Sequence, residues 1–343
     1  MKKIIFVFLS CAMFFACGNH QEKQVESIRI DTDALRQVVL SSLSPVVGES
    51  AQGANVLIMD VATGDLLFDC TVEQNGDSIM VPSNPKEKAI EPGALISTMV
   101  LASILNDPKM DLDTAMLVKV GSQYYGDGIW SVHDSRRPMS DSLPLREALA
   151  MNSLVCMTEL GERYYSECHD RLMSRLVGMF PKGRVNDLKI GAPHNLKDYG
   201  ILLVEGKEKA GKRLERVEYR RFYQLCNGYG IEVYPRDILA YYNSVAASKE
   251  KSAGILRDLL LDAVELGSAS IVKTDAYSIA GKTATIANYD SPYLYTVCFA
   301  GFFPAEEPQF SCMITLYKSI AFGRDAALVF KKIADEIMLN IQH

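Results

Sequence analysis

The chain has 343 residues, of which 48% are apolar, and its formal net charge is -6. This length and apolar content suit a globular body of one large domain or two small ones. A mildly acidic balance without a basic patch excludes a nucleic-acid footprint, so no nucleic-acid partner is expected.

The first residues predict an export signal rather than part of the fold. Two lysines precede an apolar run, residues 4–16, which is too short to span a bilayer. The run ends in a small residue, Cys17 and a glycine, which resembles the cleavage box of bacterial lipoproteins. We therefore predict a signal peptide over residues 1–16, lipidation at Cys17 and a polar tether over residues 17–30. An ordinary secretory signal that is cut nearby is the alternative.

A lipid-anchored protein of this kind is expected in the cell envelope, on the periplasmic or the outer-membrane side, with its anchor in a membrane. Export permits disulfides, but the six later cysteines show no C-x-x-C spacing, so neither a metal site nor a cofactor is expected. Four of them lie in apolar runs and are predicted to be core residues: Cys156, Cys226, Cys298 and Cys312.

The folded part is predicted to begin with a helix and a hairpin. Residues 31–46 predict the helix, because Asp31 is a good N-cap and the apolar residues recur at helical spacing. Residues 54–60 predict a strand, which returns after a turn as residues 66–70. The polar stretch 71–90 predicts a loop.

A Glu-Pro-Gly turn at residues 91–93 precedes an apolar helix that runs to about Leu105. The segment resembles the active-site segment of penicillin-binding protein transpeptidase domains, in which such a turn delivers a Ser-x-x-Lys motif at a helix start. The resemblance implies a serine that is acylated and a lysine, one turn on, that helps to deprotonate it. Here Ala94 stands at the serine position and Ser97 at the lysine position. No catalytic residue is therefore expected at this helix.

Residues 142–157 predict a helical region that resembles the family's second motif. In the family, its serine shuttles a proton and its asparagine holds the substrate amide. Asn152 stands at the serine position and Leu154 at the asparagine position. An aliphatic side chain makes no hydrogen bond, so this corner of the cleft is predicted to have lost its function. A register shift of one residue places Ser153 nearer the site without restoring an asparagine.

Residues 277–286 predict a strand that is similar to the family's Lys-Thr-Gly strand at the cleft edge. The resemblance implies that the lysine attracts a substrate carboxylate, the threonine binds it, and the glycine lets the ligand lie close. Lys282 and Thr283 are retained, and with Ala284 and Ser153 they form the predicted residual ligand-binding cleft. The methyl group of Ala284, at the glycine position, is expected to intrude where a substrate or β-lactam would lie.

Two further features invite a functional interpretation. His133 is predicted to be a surface histidine or a hydrogen-bonded structural one, because no serine is placed in the sequence to partner it. Residues 205–221 are charge-dense, and their interleaved glutamates favour a solvated loop over a basic partner patch.

The later chain predicts a helix after Pro235, two strands at residues 293–303 and 309–317, and a C-terminal helix with an apolar stripe. Strands at both ends and helices between them predict an α/β (α+β) sandwich. The resemblance implies a β-lactamase/transpeptidase-like domain over residues 31–343. Such a domain has a mainly antiparallel five-stranded sheet flanked by helices, with a helical subdomain at about residues 91–265.

The favoured hypothesis is a lipid-anchored pseudoenzyme that binds peptidoglycan stem peptide or an envelope protein. The alternative is an active penicillin-binding D,D-transpeptidase or carboxypeptidase with a non-standard serine nucleophile, for which Ser97, Ser83 and Ser248 are the candidates. The last two match Ser-x-x-Lys only formally, in loop-like or charged surroundings. A third hypothesis is an envelope module that binds sugar, peptide or β-lactam without a covalent bond.

Overall fold

The computed structural model describes residues 30–125, 128, 130–135, 138–187, 201–203, 221–288, 291–320 and 323–341. The predicted signal peptide, the lipidation site and all but the last residue of the charge-dense segment lie outside these residues. Within these ranges, no helix has both the length and the apolar character that a membrane crossing requires.

An antiparallel sheet of six strands forms the centre of the molecule, and its strands come from both ends of the chain. They are β1 (Gly53–Asp60), β2 (Leu66–Asn75), β3 (Ser78–Met80), β11 (Ala280–Asn288), β12 (Ser291–Phe303) and β13 (Phe310–Ser319). Their order across the sheet is β11-β12-β13-β1-β2-β3. β1 pairs with β13 and places Gly53 opposite Tyr317, so the N-terminal and C-terminal hairpins close a single sheet.

The predicted antiparallel sheet is confirmed, but it has six strands rather than five. The additional strand β3, and the extension of β2 to Asn75, lie in the stretch 71–90 that was predicted to be a loop. Asn75 pairs with Ser78, so only Gly76 and Asp77 connect the two strands. A Gly-Asp pair is a hairpin signal, and Gly76 has the positive φ (+61°) that such turns require.

Two helices, α1 (Thr32–Leu43) and α9 (Arg324–Ile341), pack together over one face of the sheet. α1 starts where it was predicted to start, because the Asp31 carboxylate accepts hydrogen bonds from the backbone N–H groups of Asp33 and Ala34 at 3.0 Å. Its apolar stripe is buried: Leu35, Val39 and Leu43.

The other face carries the remaining helices. They are α2 (Ile96–Leu105), α3 (Leu145–Ala150), α4 (Leu154–Tyr165), α5 (His169–Val177), α6 (described over 221–226), α7 (Pro235–Ala247) and α8 (Lys251–Glu265). Every residue of α2 from Ile96 to Ile104 is buried, which explains why this segment has no polar face. The helices on both faces confirm the predicted sandwich.

The helical region predicted over residues 142–157 is interrupted in the structure. It consists of a short strand (Ser142–Pro144), then α3, and then α4 after a break at residues 151–153. The break occurs because Asn152 adopts a positive φ of +61° and Ser153 is extended. A residue in the left-handed region cannot continue a right-handed helix, so α4 starts anew with Ser153 as its N-cap.

Small sheets lie among the helices. The described short strands are β4 (Leu117–Lys119), β5 (Ser122–Tyr125), β6 (Trp130–His133), β7 (Ser142–Pro144), β8 (Val185–Asp187), β9 (Ile201–Leu203) and β10 (Ile231–Val233). β4 pairs with β7, β8 pairs with β10, and β6 lies between β5 and β9. The predicted subdomain at about residues 91–265 thus contains small sheets as well as helices.

Candidate functional site

The Glu-Pro-Gly turn is held in place by a second turn at residues 228–230. The backbone N–H of Gly93 donates to the Gly228 carbonyl at 3.0 Å, and the buried Glu91 side chain accepts from the Gly230 N–H at 2.7 Å. A Cβ atom on Gly228 would lie 2.1 Å from the Gly93 carbonyl oxygen. Glycine is therefore required at this contact, and the two turns fix the start of the helix that follows.

The helix start has no serine at position 94. Ala94 is half-buried in a 3₁₀ turn, Gly93–Leu95, which leads directly into α2. Ser97 is only 4% exposed, and its hydroxyl donates to the Ala94 carbonyl at 2.8 Å. A methyl group cannot attack a carbonyl, and the nearby hydroxyl proton is already bonded to the backbone.

Lys282 is anchored inside the protein. It is 3% exposed, and its Nζ donates to the Leu149 carbonyl at 2.7 Å, in the last turn of α3. Burial lowers the pKa of Lys282 to about 8, because removal from water disfavours the charged amine. The amine that was predicted to attract a ligand carboxylate therefore has an intramolecular partner.

Asn152 and Thr283 join the second and third motif segments directly. The Asn152 side-chain amide donates to the Thr283 carbonyl at 3.3 Å and to its hydroxyl at 3.1 Å. Thr283 is 5% exposed, and its hydroxyl also lies 3.2 Å from that of Ser268. The two sides of the predicted cleft thus contact each other, and the retained threonine hydroxyl is occupied.

Ser153 serves as a helix cap in the structure. Its hydroxyl donates to the carboxylate of Asp134 at 2.9–3.0 Å and accepts from the Cys156 N–H at 3.0 Å. Asp134 also accepts from the N–H of Val155 at 3.0 Å, so two residues hold the start of α4. These bonds give Ser153 a structural role, and its predicted contact with a ligand stays a prediction.

Ala284 lies where the edge strand β11 packs on the Glu-Pro-Gly turn. It is fully buried, and its methyl group lies 3.6 Å from where a Cβ on Gly93 would be. The side chain of Ile286 is closer still, at 2.7 Å from the same point. The strand and the turn are thus in direct contact at this end of the predicted cleft.

Most of the predicted positions surround one small cavity. Its lining includes Ala94, Ser97, Asn152, Ser153, Leu154, Asn227 and Lys282. The space for a water-sized molecule is about 10 Å³, which is roughly the minimum that a single water needs. This cavity is far smaller than a peptide or a β-lactam.

Asn227 is a lining residue that the sequence interpretation missed. It is 2% exposed, and its side-chain amide donates to the Thr158 hydroxyl at 3.0 Å and to the Tyr223 carbonyl at 2.9 Å. Its Oδ1, like that of Asn152, is buried and accepts no hydrogen bond from the described residues. Its place immediately before the glycine turn at 228–230 was the available sequence signal.

His133 contacts two serines, so the statement that no serine is placed to partner it was wrong. Its Nδ1 lies 2.5 Å from the Ser122 hydroxyl, across the β5–β6 pair, and its Nε2 lies 3.0 Å from the Ser131 hydroxyl. The sequence did not reveal the first contact because strand pairing, not chain proximity, brings Ser122 to the ring.

The four cysteines predicted to be core residues are buried, with thiols in the reduced form: Cys156, Cys226, Cys298 and Cys312. Burial raises the pKa of each of these thiols. Within the part of the chain that the structure describes, no three His, Cys, Asp or Glu side chains are grouped to hold a metal ion.

The solved structures similar to this chain include penicillin-binding proteins and peptidoglycan enzymes. Penicillin-binding protein 3 of Mycobacterium tuberculosis, complexed with aztreonam, is 18% identical, with a TM-score of 0.67 over 90% of this chain and 78% of that one. The transpeptidase domain of the FtsI4 D,D-transpeptidase of Legionella pneumophila is 16% identical, with a TM-score of 0.61 over 91% of this chain and 100% of that one. A peptidoglycan glycosyltransferase of Burkholderia ambifaria is 16% identical, with a TM-score of 0.66 over 90% of this chain and 96% of that one.

No family model and no curated protein matches the sequence. The structural likeness extends over about nine-tenths of the chain and confirms the predicted fold. The chain has the fold of a penicillin-binding transpeptidase domain.

Proposed function

We propose that this chain is a lipid-anchored protein of the cell envelope whose transpeptidase-like domain binds a partner and does not transfer acyl groups. The observation that carries the proposal is Ala94, which stands at the nucleophile position after the Glu-Pro-Gly turn. The envelope location and the anchor at Cys17 rest on the N-terminal sequence alone.

Acyl transfer needs a nucleophile, a base and an open cleft, and each is changed here. Ala94 has no hydroxyl, Ser97 supplies no amine, and Lys282 donates to the Leu149 carbonyl. Residues that act as a unit fail as a unit, so a single remaining member gives little catalysis. These observations support a binding role for the domain.

The contact between Asn152 and Thr283 favours an envelope protein as the partner over a peptidoglycan stem peptide. A protein can dock on the outer surface, whereas a stem peptide in the family's cleft requires this contact to open. The buried, unbonded oxygens of Asn152 and Asn227 keep the stem peptide as the second candidate ligand, because an entering amide could donate to them.

One contact favours the alternative of an active enzyme with a non-standard serine. The Ser122 hydroxyl lies 2.5 Å from a ring nitrogen of His133, and Ser131 lies against the other ring nitrogen. A hydroxyl beside a base that a third group orients is the general pattern of an activated nucleophile. Ser97 lacks such a base contact among the described hydrogen bonds, since its hydroxyl donates to the backbone.

Release of D-alanine from a peptide that ends in D-Ala-D-Ala tests the proposal with the full chain. We expect no release above that of buffer. Release that disappears in Ser122→Ala would overturn the proposal in favour of the relocated nucleophile. Release that persists in Ser122→Ala and disappears in Ser97→Ala would overturn it in favour of a nucleophile on α2.

A further inference from the structure

A second and larger cavity lies on the face of the central sheet that carries α7. It shares no lining residue with the small cavity. It is a groove of about 420 Å³ between segment 85–88 and the start of α7. Its floor includes Asn55, Thr71 and Tyr317, from β1, β2 and β13. Sites for small ligands commonly measure roughly 300–1,000 Å³, so this groove has room for a short peptide.

The charges of the groove are unbalanced. It is lined by Asp69, Glu73, Lys86, Glu87, Lys88, Arg236 and Lys318. Asp69 forms an ion pair with Arg236 at 2.9 Å. Glu87 forms one with Arg184 at 2.9 Å, but it shares this arginine with Asp237, which lies at 2.7 Å. Among the described residues no ion pair joins a carboxylate to the three lysines.

The groove is therefore positive on a chain whose net charge is -6. Its four basic and three acidic lining residues leave an excess of one positive charge, and neither the three lysines nor Glu73 has an ion pair among the described residues. A local potential that opposes the sign of the whole molecule concentrates ligands of the opposite charge. The groove thus favours a ligand with more acidic groups than basic ones.

Several contacts hold the groove in shape. The Asn55 side-chain amide donates to the Asp69 carboxylate and to the Thr71 hydroxyl, both at 3.1 Å. The Lys88 Nζ lies 5.6 Å from the centre of the Tyr317 ring, within range of a cation–π contact. A floor that is ordered in advance lowers the entropy cost of binding.

Lys318 adds an observation of a different kind. Its φ is +50°, and Asn152 is the only other non-glycine residue of the described chain with a positive φ. The register of the β12–β13 pair shifts at this point, between Tyr295 and Val297, so the positive φ belongs to a β-bulge, a feature that changes the direction of a side chain. It places the third lysine at the rim of the groove, at the end of β13.

We propose that this groove binds a short peptide that carries two or more carboxylates and one amino group. Lys86, Lys88 and Lys318 bind the carboxylates, and Glu73 binds the amino group. The proposal concerns a site outside the family's cleft and holds whether or not the domain transfers acyl groups.

Isothermal titration of the full chain at low ionic strength tests the proposal. The probe is acetyl-Glu-Ala-Glu-Lys-amide, and acetyl-Gln-Ala-Gln-Lys-amide is the matched neutral peptide. We expect the Glu peptide to bind at least ~10-fold more tightly, since two charge-assisted contacts distinguish the peptides. We also expect the double variant Lys86→Gln with Lys318→Gln to bind the Glu peptide about tenfold more weakly than the native chain does.

Lys332→Gln, which removes an exposed charge on α9 at the opposite face, controls for net charge and is expected to leave binding unchanged. Equal binding of the two peptides, no loss in the double variant, or no binding of the Glu peptide would overturn the proposal. Inorganic phosphate that displaces the Glu peptide when both are at the same concentration would overturn it as well, because the groove would then be a general anion site.

Discussion

At the scale of single residues, the positions that the three motifs singled out take part in packing and in hydrogen bonds within the protein. Lys282 donates to the end of α3, Thr283 is bonded to Asn152, and Ser153 caps α4. Each polar side chain that survives has a partner inside the protein. The contacts of Lys282 and Thr283 therefore contribute to the stability of the fold.

Lys282 predicts a specific dependence of stability on pH. Burial lowers its pKa from 10.5 to about 8, so between these values the unfolded chain binds more protons than the folded chain. Folding stability then rises with pH across this window. Relative to Lys282→Met, the free energy of unfolding of the native chain should increase by up to about 3 kcal/mol between about pH 7 and about pH 10.5.

Urea unfolding of both proteins across this pH range measures the difference. Lys332→Met, at an exposed position on α9, controls for loss of a surface lysine. A difference between the native chain and Lys282→Met that does not change with pH would show that the amine is not buried as described.

Two substitutions of Asn152 are expected to destabilise the protein to different extents. Asn152→Ala and Asn152→Gly both remove the bonds to Thr283, at a cost of about 1–3 kcal/mol. Alanine must also adopt the φ of +61°, so it should cost about 1 kcal/mol more than glycine. Denaturant unfolding of the two variants tests this order. Equal stabilities, or a more stable alanine variant, would contradict the left-handed geometry.

At the scale of elements, two glycine turns form the base on which the site is built. The Gly93–Gly228 backbone contact fixes where α2 begins, and the edge strand β11 packs on the same turn. The sequence identified the first turn, α2 and the strand at 280–288, because apolar runs and turn residues mark them. It missed β3 and the break before α4, because these depend on a two-residue hairpin and a single positive φ.

Gly228→Ala is expected to destabilise the protein by more than about 3 kcal/mol, since backbone must move to admit the methyl group. The matched control is Gly64→Ala, where φ is also positive (+76°) but no atom lies within 4 Å of the new Cβ. That control should cost only about 1 kcal/mol of conformational strain. Thermal unfolding of both variants measures the contrast, and similar losses would refute the close contact.

At the scale of the whole molecule, the structure has the sandwich of the transpeptidase fold, and its three motif segments meet at a cavity of about 10 Å³. The order of the motifs along the chain predicted the fold, and the structure places them at the start of α2, at the junction of α3 and α4, and on β11. The closure of the cleft was not predictable from sequence. It depends on contacts such as Asn152–Thr283, which join residues 131 positions apart.

The small size of the cavity predicts that a serine at position 94 and a lysine at position 97 do not by themselves restore acylation. The double variant Ala94→Ser with Ser97→Lys returns both groups, yet Lys282 and Thr283 remain bonded and the cavity stays near 10 Å³. We expect no penicillin adduct, with circular dichroism confirming that the variant is folded. An adduct at position 94 would show that the cleft opens readily and that only the nucleophile is missing.

The most direct measurement is the intact mass of the native full chain after incubation with an excess of a fluorescent penicillin. With a methyl group at position 94 and no room for the reagent, we predict an unchanged mass and no labelled band. A stoichiometric adduct would contradict this prediction, and mapping the modified peptide would show whether Ser97, Ser122 or another serine has replaced the missing nucleophile.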